Sequence, residues 1–171
     1  MKKLLCLMVV LLLSAPAYAA DFFSDFRFKG VNPMTNGLYN EGCAECHYGY
    51  QPGLLPARSW EKMMLPDELE DHFGENAELD EEDRLEIRDF LVTNAADSSL
   101  YKRSRKIMRS LADEKIELRI SEVPYIKRKH KTLQDKHVKF NPKVKSIINC
   151  NACHRGIDKG IFDDDTILIP N

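Results

Sequence analysis

Residues 43–47 read Cys-Ala-Glu-Cys-His, and residues 150–154 read Cys-Asn-Ala-Cys-His. Cys-x-x-Cys-His is the attachment signature of a c-type haem. The two thiols of each copy bond to the two vinyl groups of one haem, and the adjacent histidine binds its iron as the proximal ligand. The two copies therefore predict two covalently bound haems. The attachment residues are Cys43, Cys46, Cys150 and Cys153, and the proximal ligands are His47 and His154.

Other uses of four cysteines explain this pattern less well. Two disulfides form readily in an oxidising compartment, but they do not require a histidine directly after each second cysteine. A Cys-x-x-Cys redox pair is expected between a strand and a helix, and two such pairs are unusual in one small domain. A zinc ion bound by four cysteines leaves both histidines without a role. Haem attachment accounts for every defining residue of both copies.

An electron-transfer haem has a second strong axial ligand, which is histidine or methionine. After the two proximal histidines, His72, His130 and His137 remain. His72 lies at the end of a predicted helical stretch between apolar residues, which favours a position facing a haem. Lysines flank His137, and the residues alone favour His130 over it only slightly. The adjacent Met63 and Met64 follow a tryptophan at helical spacing, which is more typical of a packed core than of ligands.

The first 20 residues have the pattern of a secretory signal peptide. Two lysines precede apolar residues 4–13, and small residues follow up to Ala19 and Ala20. The apolar run is too short to cross a bilayer, which takes about 20 residues. We therefore expect cleavage after Ala19 or Ala20, with loss of Cys6, and export to the periplasm in a bacterium. A retained N-terminal anchor is the alternative; after cleavage we expect no transmembrane segment.

Composition and charge narrow the class of protein. The chain has 171 residues, of which 43% are hydrophobic and 30% are charged; this is typical of globular proteins and excludes wholesale disorder. The net charge of −2 argues against a dedicated nucleic-acid binder. Residues 61–89 carry 13 acidic and 3 basic side chains, whereas residues 102–145 carry 15 basic and 5 acidic ones. This segregation fits two solvated helical faces, and it would also orient a redox partner or an anionic membrane surface.

The hydrophobic spacing predicts a mainly α-helical chain with little β-structure. The predicted helices cover residues 59–73 with a kink at Pro66, residues 79–96, residues 98–111 and a short segment after Pro124. The weak strand signals lie at residues 119–123 and 166–169. Because the attachment sequences are far apart and each haem needs apolar walls, we predict two haem-binding lobes. They comprise residues 21–97 and 98–171, after signal residues 1–20.

Several segments between the attachment sequences resemble a known family, the small dihaem cytochromes c of bacteria. The resemblance covers nearly the whole mature chain, and its middle segments are more specific than the haem attachment sequences. The matching residues are Pro52-Gly-Leu-Leu-Pro56, Ser59-Trp60, His72-Phe-Gly-Glu, Ala77-Glu-Leu-Asp80, Asn94-Ala-Ala-Asp97, Arg119-Ile, Pro124 and His130.

The resemblance implies a two-domain, mainly helical cytochrome with an N-terminal lobe similar to small class I-like monohaem cytochromes c. It implies two histidine ligands for each haem, with His72 and His130 as the distal ligands, and it assigns no role to His137. Members of the family are similar in role to electron donors for a small oxygen-binding monohaem cytochrome. Some accompany membrane-bound b-type cytochromes.

These observations predict an exported electron-transfer protein rather than an enzyme. Two imidazole ligands on each iron leave no open coordination position for a substrate. One alternative is a dihaem peroxidase-like enzyme, which needs one five-coordinate haem and an acid–base group beside it. The other is a haem-based gas or redox sensor with a displaceable distal histidine. Carbon monoxide binding to the reduced protein separates the carrier from both alternatives.

Overall fold

The computed structural model describes residues 28–171, so the predicted signal peptide lies outside the described residues. Seven short α-helices and five 3-10 helices form nearly all the regular structure of this range, which confirms the mainly α fold. None of these helices is both long and apolar enough to cross a bilayer. The α-helices are α1 (Gly37–Cys43), α2 (Ala57–Met63), α3 (Pro66–Glu70), α4 (Glu81–Thr93), α5 (Lys102–Met108), α6 (Pro124–Lys129) and α7 (Cys150–Cys153). The 3-10 helices are Pro52–Leu54, Ile120–Glu122, Asp135–His137, Ile157–Lys159 and Asp164–Thr166.

The predicted helix over residues 59–73 is two helices rather than one kinked helix. Pro66 is the first residue of α3, where its fixed φ suits a helix start and its missing N–H costs nothing. The chain therefore turns between α2 and α3. Both helices still bury one side, with Trp60 and Leu69 in the core. The indole N–H of Trp60 donates a 2.8 Å hydrogen bond to the Pro52 carbonyl and fixes the preceding 3-10 turn.

Helix α4 packs against α2 and supplies a continuous apolar face. Ile87 and Leu91 lie on that face and are almost fully buried. Arg84 is also buried, and its guanidinium binds the Glu81 carboxylate through two nitrogens. A third nitrogen of Arg84 donates a 2.6 Å hydrogen bond to the Met64 carbonyl at the end of α2. Burial of this charge is tolerated because it is paired and hydrogen-bonded.

Both sequence-based strand predictions are wrong. Residues 120–122 form a 3-10 helix, and the C-terminal segment forms only an isolated bridge from Ile167 to His154. Ile120 packs against the core from the side, and Val123 is fully buried three residues later. A 3-10 turn places residues three apart on one side, so it buries both side chains without a partner strand.

The beginning of the described range lies against the C-terminal half of the chain. The backbone N–H of Val31 donates a 3.0 Å hydrogen bond to the Gly160 carbonyl. Gly30 and Gly160 have φ values of +75° and +66°, and a Cβ on either would collide with the backbone of the facing segment. Two glycines are therefore required for this close approach. It positions the loop that follows the second attachment sequence.

The buried apolar side chains form one continuous cluster. Its members come from both predicted lobes, with Trp60 and Leu91 from the first and Ile107 and Ile157 from the second. Packing between the two halves holds the two attachment sequences in a fixed relation. The division into lobes at residue 97 stays a prediction.

Candidate functional site

The first attachment sequence begins at the C-terminal end of α1. The Asn36 side chain caps this helix by accepting a 2.9 Å hydrogen bond from the Tyr39 N–H. Tyr39 is buried, and its hydroxyl donates to the Tyr50 carbonyl at 3.0 Å, which anchors the loop that carries His47. Burial raises the pKa of the Cys43 thiol to about 11, and this thiol is neutral at pH 7.

His47 faces His72, which follows α3. Their ring centres are 6.3 Å apart and their planes differ by 26°. The Nδ1–H of His47 donates to the Tyr48 carbonyl at 2.8 Å, and this leaves Nε2 free to bind a metal. Burial, together with His47 and Arg119, lowers the pKa of His72, so its imidazole is in the neutral form that ligates metals.

The second attachment sequence is itself a helix. His154 follows α7, is 8% exposed, and faces His130 with ring centres 5.9 Å apart and planes 72° apart. Burial, with smaller contributions from His130 and Arg103, lowers the pKa of His154 to about 4. His130 is the C-cap of α6, and its Nδ1–H donates to the Ile126 carbonyl at 2.8 Å. The Nδ1 of His154 is buried, and no residue of the described range 28–171 forms a hydrogen bond with it.

The two histidine pairs have the spacing that an iron ion between two imidazoles requires. A metal–imidazole bond is about 2 Å long and the ring centre lies about 1 Å beyond the nitrogen, so axial ring centres lie about 6 Å apart. The observed separations of 6.3 and 5.9 Å match this value. Residues 28–171 contain no group of three or more His, Cys, Asp or Glu placed to bind one metal ion. Each pair therefore fits a haem, which brings four nitrogens of its own.

The remaining predicted residues also have clear positions. His137 ends a 3-10 helix and its Nδ1 accepts a 3.1 Å hydrogen bond from the Gln134 N–H. The structure thus brings His130 to a proximal histidine and gives His137 a local capping contact. Met64 is buried in the core, as its helical spacing predicts. All four cysteines of the described range are free thiols, available for haem attachment.

Four side chains around the histidines were not anticipated from the sequence. Tyr50 stacks on His47 with ring centres 4.9 Å apart, and Phe162 packs 5.2 Å from His154. The ring centres of Phe73 and His72 lie 4.7 Å apart, and the guanidinium of Arg119 lies over the Phe73 ring. Arg119 is among the residues that resemble the family, but its contact with Phe73 was not predictable because it comes from a distant part of the chain. Phe162 follows His154 along the chain, and no pattern in the sequence predicts their contact.

The two attachment sequences adjoin each other. A cleft of about 540 Å³ is lined by residues 44–49 in and just after the first, by Asn149 and Asn151 around the second, and by Thr35, Asn40 and Asp158. This volume is within the range of cofactor clefts, roughly 300–1,000 Å³. The Tyr50 hydroxyl donates a 2.6 Å hydrogen bond to the Ile148 carbonyl, two residues before the second attachment sequence. The arrangement thus places two haem-binding sites side by side.

Comparison with known proteins agrees with this geometry. The family model for dihaem cytochrome c matches residues 39–162. A diheme cytochrome c from Rhodobacter sphaeroides is 42% identical, with a TM-score of 0.66, and the match covers 78% of this chain and 99% of that one. A diheme cytochrome type c from Shewanella baltica OS155 is 36% identical, with a TM-score of 0.63, and the match covers 79% of this chain and 93% of that one. No curated protein matches the chain.

Proposed function

The chain belongs to the dihaem cytochrome c family, and we propose that it is a periplasmic electron carrier in which two histidines hold each haem iron. The family has two covalently bound c-type haems, and its function is haem-based electron transfer. The proposal is supported chiefly by one observation. The histidine of each attachment sequence faces a second histidine from another part of the chain.

Each histidine has a defined part in this proposal. His47 and His72 hold the first haem, and His154 and His130 hold the second. When bound, each haem supplies an iron that cycles between the ferric and ferrous states. Burial lowers the pKa of His72 and of His154, and Nδ1 hydrogen bonds to carbonyls fix the rings of His47 and His130. With both axial positions filled by protein, neither iron has an open position for a substrate unless a histidine first dissociates.

Carbon monoxide tests the ligation directly, because it binds ferrous haem that lacks a sixth ligand. The dithionite-reduced protein should show no fast change in its visible spectrum when carbon monoxide is added. His72→Ala and His130→Ala should each open one haem, so that about half of the haem binds rapidly. His137→Ala is the matched control and should behave like the parent chain. Rapid binding by the parent chain would instead support the open haem of a peroxidase-like enzyme or sensor.

Export is the second part of the proposal. The lysines, the apolar run and the small residues of the first 20 positions support a signal peptide. The mass of the mature protein from a periplasmic extract should correspond to a chain that starts at Ala20 or Asp21. A mature chain that retains residues 1–19 would contradict cleavage and favour an N-terminal anchor.

The proposed partners are other redox proteins, such as a small monohaem cytochrome or a membrane b-type cytochrome. A groove of about 460 Å³ lies between α5 and α6, beside His130. Its basic lining supports a partner with an acidic surface. Its basic side chains are Lys106, Arg109, Arg128 and Lys129. Lys129 pairs with Asp164, and within residues 28–171 the other three of these cations form no salt bridge. Electron transfer to such a partner should slow steeply as ionic strength rises.

A further inference from the structure

His72 lies in a turn with unusual backbone geometry. Its N–H donates to the Glu75 carbonyl at 2.8 Å, and the Glu75 N–H donates back at 3.3 Å. Inside this turn Phe73 has a φ of +59° and Gly74 a φ of +103°. A bulky residue in the left-handed region is an outlier that costs free energy, and surrounding contacts must maintain it. The contacts of Phe73 are therefore informative.

The Phe73 ring contacts both His72 and Arg119. Its centre lies 4.7 Å from the centre of the His72 ring, with the planes 56° apart. The guanidinium carbon of Arg119 lies 3.9 Å from the centre of the Phe73 ring, which is a close cation–π contact. Phe73 is 44% exposed, so the hydrophobic core does not hold it. Within the described range, the aromatic and cationic contacts of the Phe73 ring are those with His72 and Arg119.

Arg119 reaches Phe73 from the other half of the chain. It precedes the 3-10 helix Ile120–Glu122, and the Glu122 N–H donates to the Arg119 carbonyl at 2.9 Å. The fully buried Val123 then fixes this segment to the core. Within the described range the Arg119 guanidinium forms no hydrogen bond or salt bridge, and its nearest aromatic contact is Phe73. The position of Arg119 is therefore explained by Phe73 rather than by an ion pair.

The distal histidine of the second pair is held differently. The His130 ring is fixed by its Nδ1–H bond to the Ile126 carbonyl, within its own helix turn. The His72 ring has no hydrogen bond within residues 28–171. Its orientation consequently depends on the packing of Phe73 and on the turn that carries both residues.

We propose that Phe73 and Arg119 form a latch that holds His72 on the first haem, and that the first haem is the one that exchanges its distal ligand for a small external one. This inference rests on the proposed histidine ligation. Phe73 and Arg119 are positioning residues, since they act through His72. The external ligands are neutral diatomic molecules that bind ferrous haem, with carbon monoxide as the probe. Carbon monoxide takes the position that the His72 nitrogen leaves, and the iron stays ferrous.

The rate of carbon monoxide binding to the reduced holoprotein at saturating gas tests the latch. In a His130→Ala background the second haem binds fast, and the slow phase reports dissociation of His72 from the first. Arg119→Gln should accelerate this slow phase about tenfold, because the cation–π contact is lost. Phe73→Leu should accelerate it similarly. Arg119→Lys retains a cation over the ring and should restore a rate near that of the His130→Ala parent.

Two controls give the result its specificity. In a His72→Ala background the slow phase reports His130, and Arg119→Gln should leave it unchanged. Arg88→Gln removes an arginine that pairs with Asp89 on α4, and it should not alter the first-haem phase. Unchanged rates in both Arg119→Gln and Phe73→Leu would overturn the latch while the ligation stands. Absence of a fast phase in His72→Ala would instead overturn the ligation itself, and the latch with it.

Discussion

The two haem sites start from the same five-residue pattern and differ in almost every other respect. In the first site the facing histidine, His72, follows the attachment sequence, whereas in the second the facing histidine, His130, precedes it. His47 is half-buried in a loop after α1, while His154 is buried at the end of α7. An identical attachment signature thus determines the chemistry of attachment but not the environment of the haem.

The hydrogen bonds to the imidazoles are also distributed differently. In the first site His47 is fixed through Nδ1, and in the second site His130 is, whereas the proposal makes the first of them a proximal and the second a distal ligand. Such a bond orients the ring and makes the imidazole a stronger ligand. Of the two histidines that face the attachment sequences, His72 is therefore the less firmly held, and it is the one that the proposed exchange would displace.

The two sites should differ most in the free energy of unfolding that is lost when their haem is removed. The double variant Cys150→Ala and Cys153→Ala removes the attachment of the second haem. It should lower the free energy of unfolding by roughly 4 kcal/mol or more, because loss of that haem leaves a cavity beside the buried His154. Replacing Cys43 and Cys46 should cost about half as much, because the first site is more exposed. Urea unfolding followed by circular dichroism measures both losses. Equal losses would contradict the difference in burial.

The next largest effect should be a difference between the reduction potentials of the two haems. Ferric haem with two neutral imidazoles carries an extra positive charge, so burial and nearby cations favour the ferrous form. The second site is the more buried one and lies in the basic half, whereas residues 61–89 around the first are acidic. We therefore expect the second haem to have the higher potential, by roughly 60 mV, which is a tenfold shift in the one-electron equilibrium.

Methionine variants assign the two potentials. His72→Met should raise the lower potential and His130→Met the higher one, each by roughly 100 mV, because methionine favours the ferrous state. A spectroelectrochemical titration of each variant measures this. If His130→Met raised the lower potential, the order inferred from burial and charge would be reversed.

The helical content was predictable from the sequence, because helical spacing depends on neighbours within a few positions. At Pro66 the sequence predicted a kink within one helix, whereas one helix ends and another begins there. The contacts of Arg119 and Phe73 were not predictable, because a cation–π contact between distant segments leaves no periodicity. Leu100 was placed inside a helix on its apolar character, yet α5 begins only at Lys102, and Leu100 is exposed. The β-branched residues at 119–123 are typical of a strand, which is why the sequence predicted one. No strand exists in the described range to pair with this segment.

The relative orientation of the histidine rings should be visible without any variant. Near-parallel rings, 26° apart in the first pair, donate into the same iron d orbital and split the orbital energies strongly. Rings 72° apart in the second pair donate into different orbitals and leave them nearly equal in energy. Electron paramagnetic resonance of the ferric protein should therefore show one rhombic low-spin signal and one signal with a single large g value. His72→Ala should remove the rhombic signal only, and loss of the other signal would contradict the assignment.

The smallest expected effect concerns Tyr50, which touches both sites. Its ring stacks on His47, with centres 4.9 Å apart, while its hydroxyl bonds the Ile148 carbonyl beside the second site. Tyr50→Phe removes only the hydrogen bond, and because Ile148 is 41% exposed, water replaces it at a cost of about 0.5–1 kcal/mol. Tyr50→Leu also removes the stack and should cost about 1 kcal/mol more.

The two Tyr50 variants separate the two roles of this side chain. Loss of the stack changes the surroundings of His47 alone, so Tyr50→Leu should shift the potential of the first haem and leave the second unchanged. Tyr50→Phe should leave the first potential unchanged, because its ring still covers His47. Tyr101→Phe, whose ring stacks on Phe28, is the matched control and should alter neither potential. A shift of the second potential in Tyr50→Phe would mean that the hydroxyl holds the second attachment segment in place, so that the two environments are set jointly rather than separately.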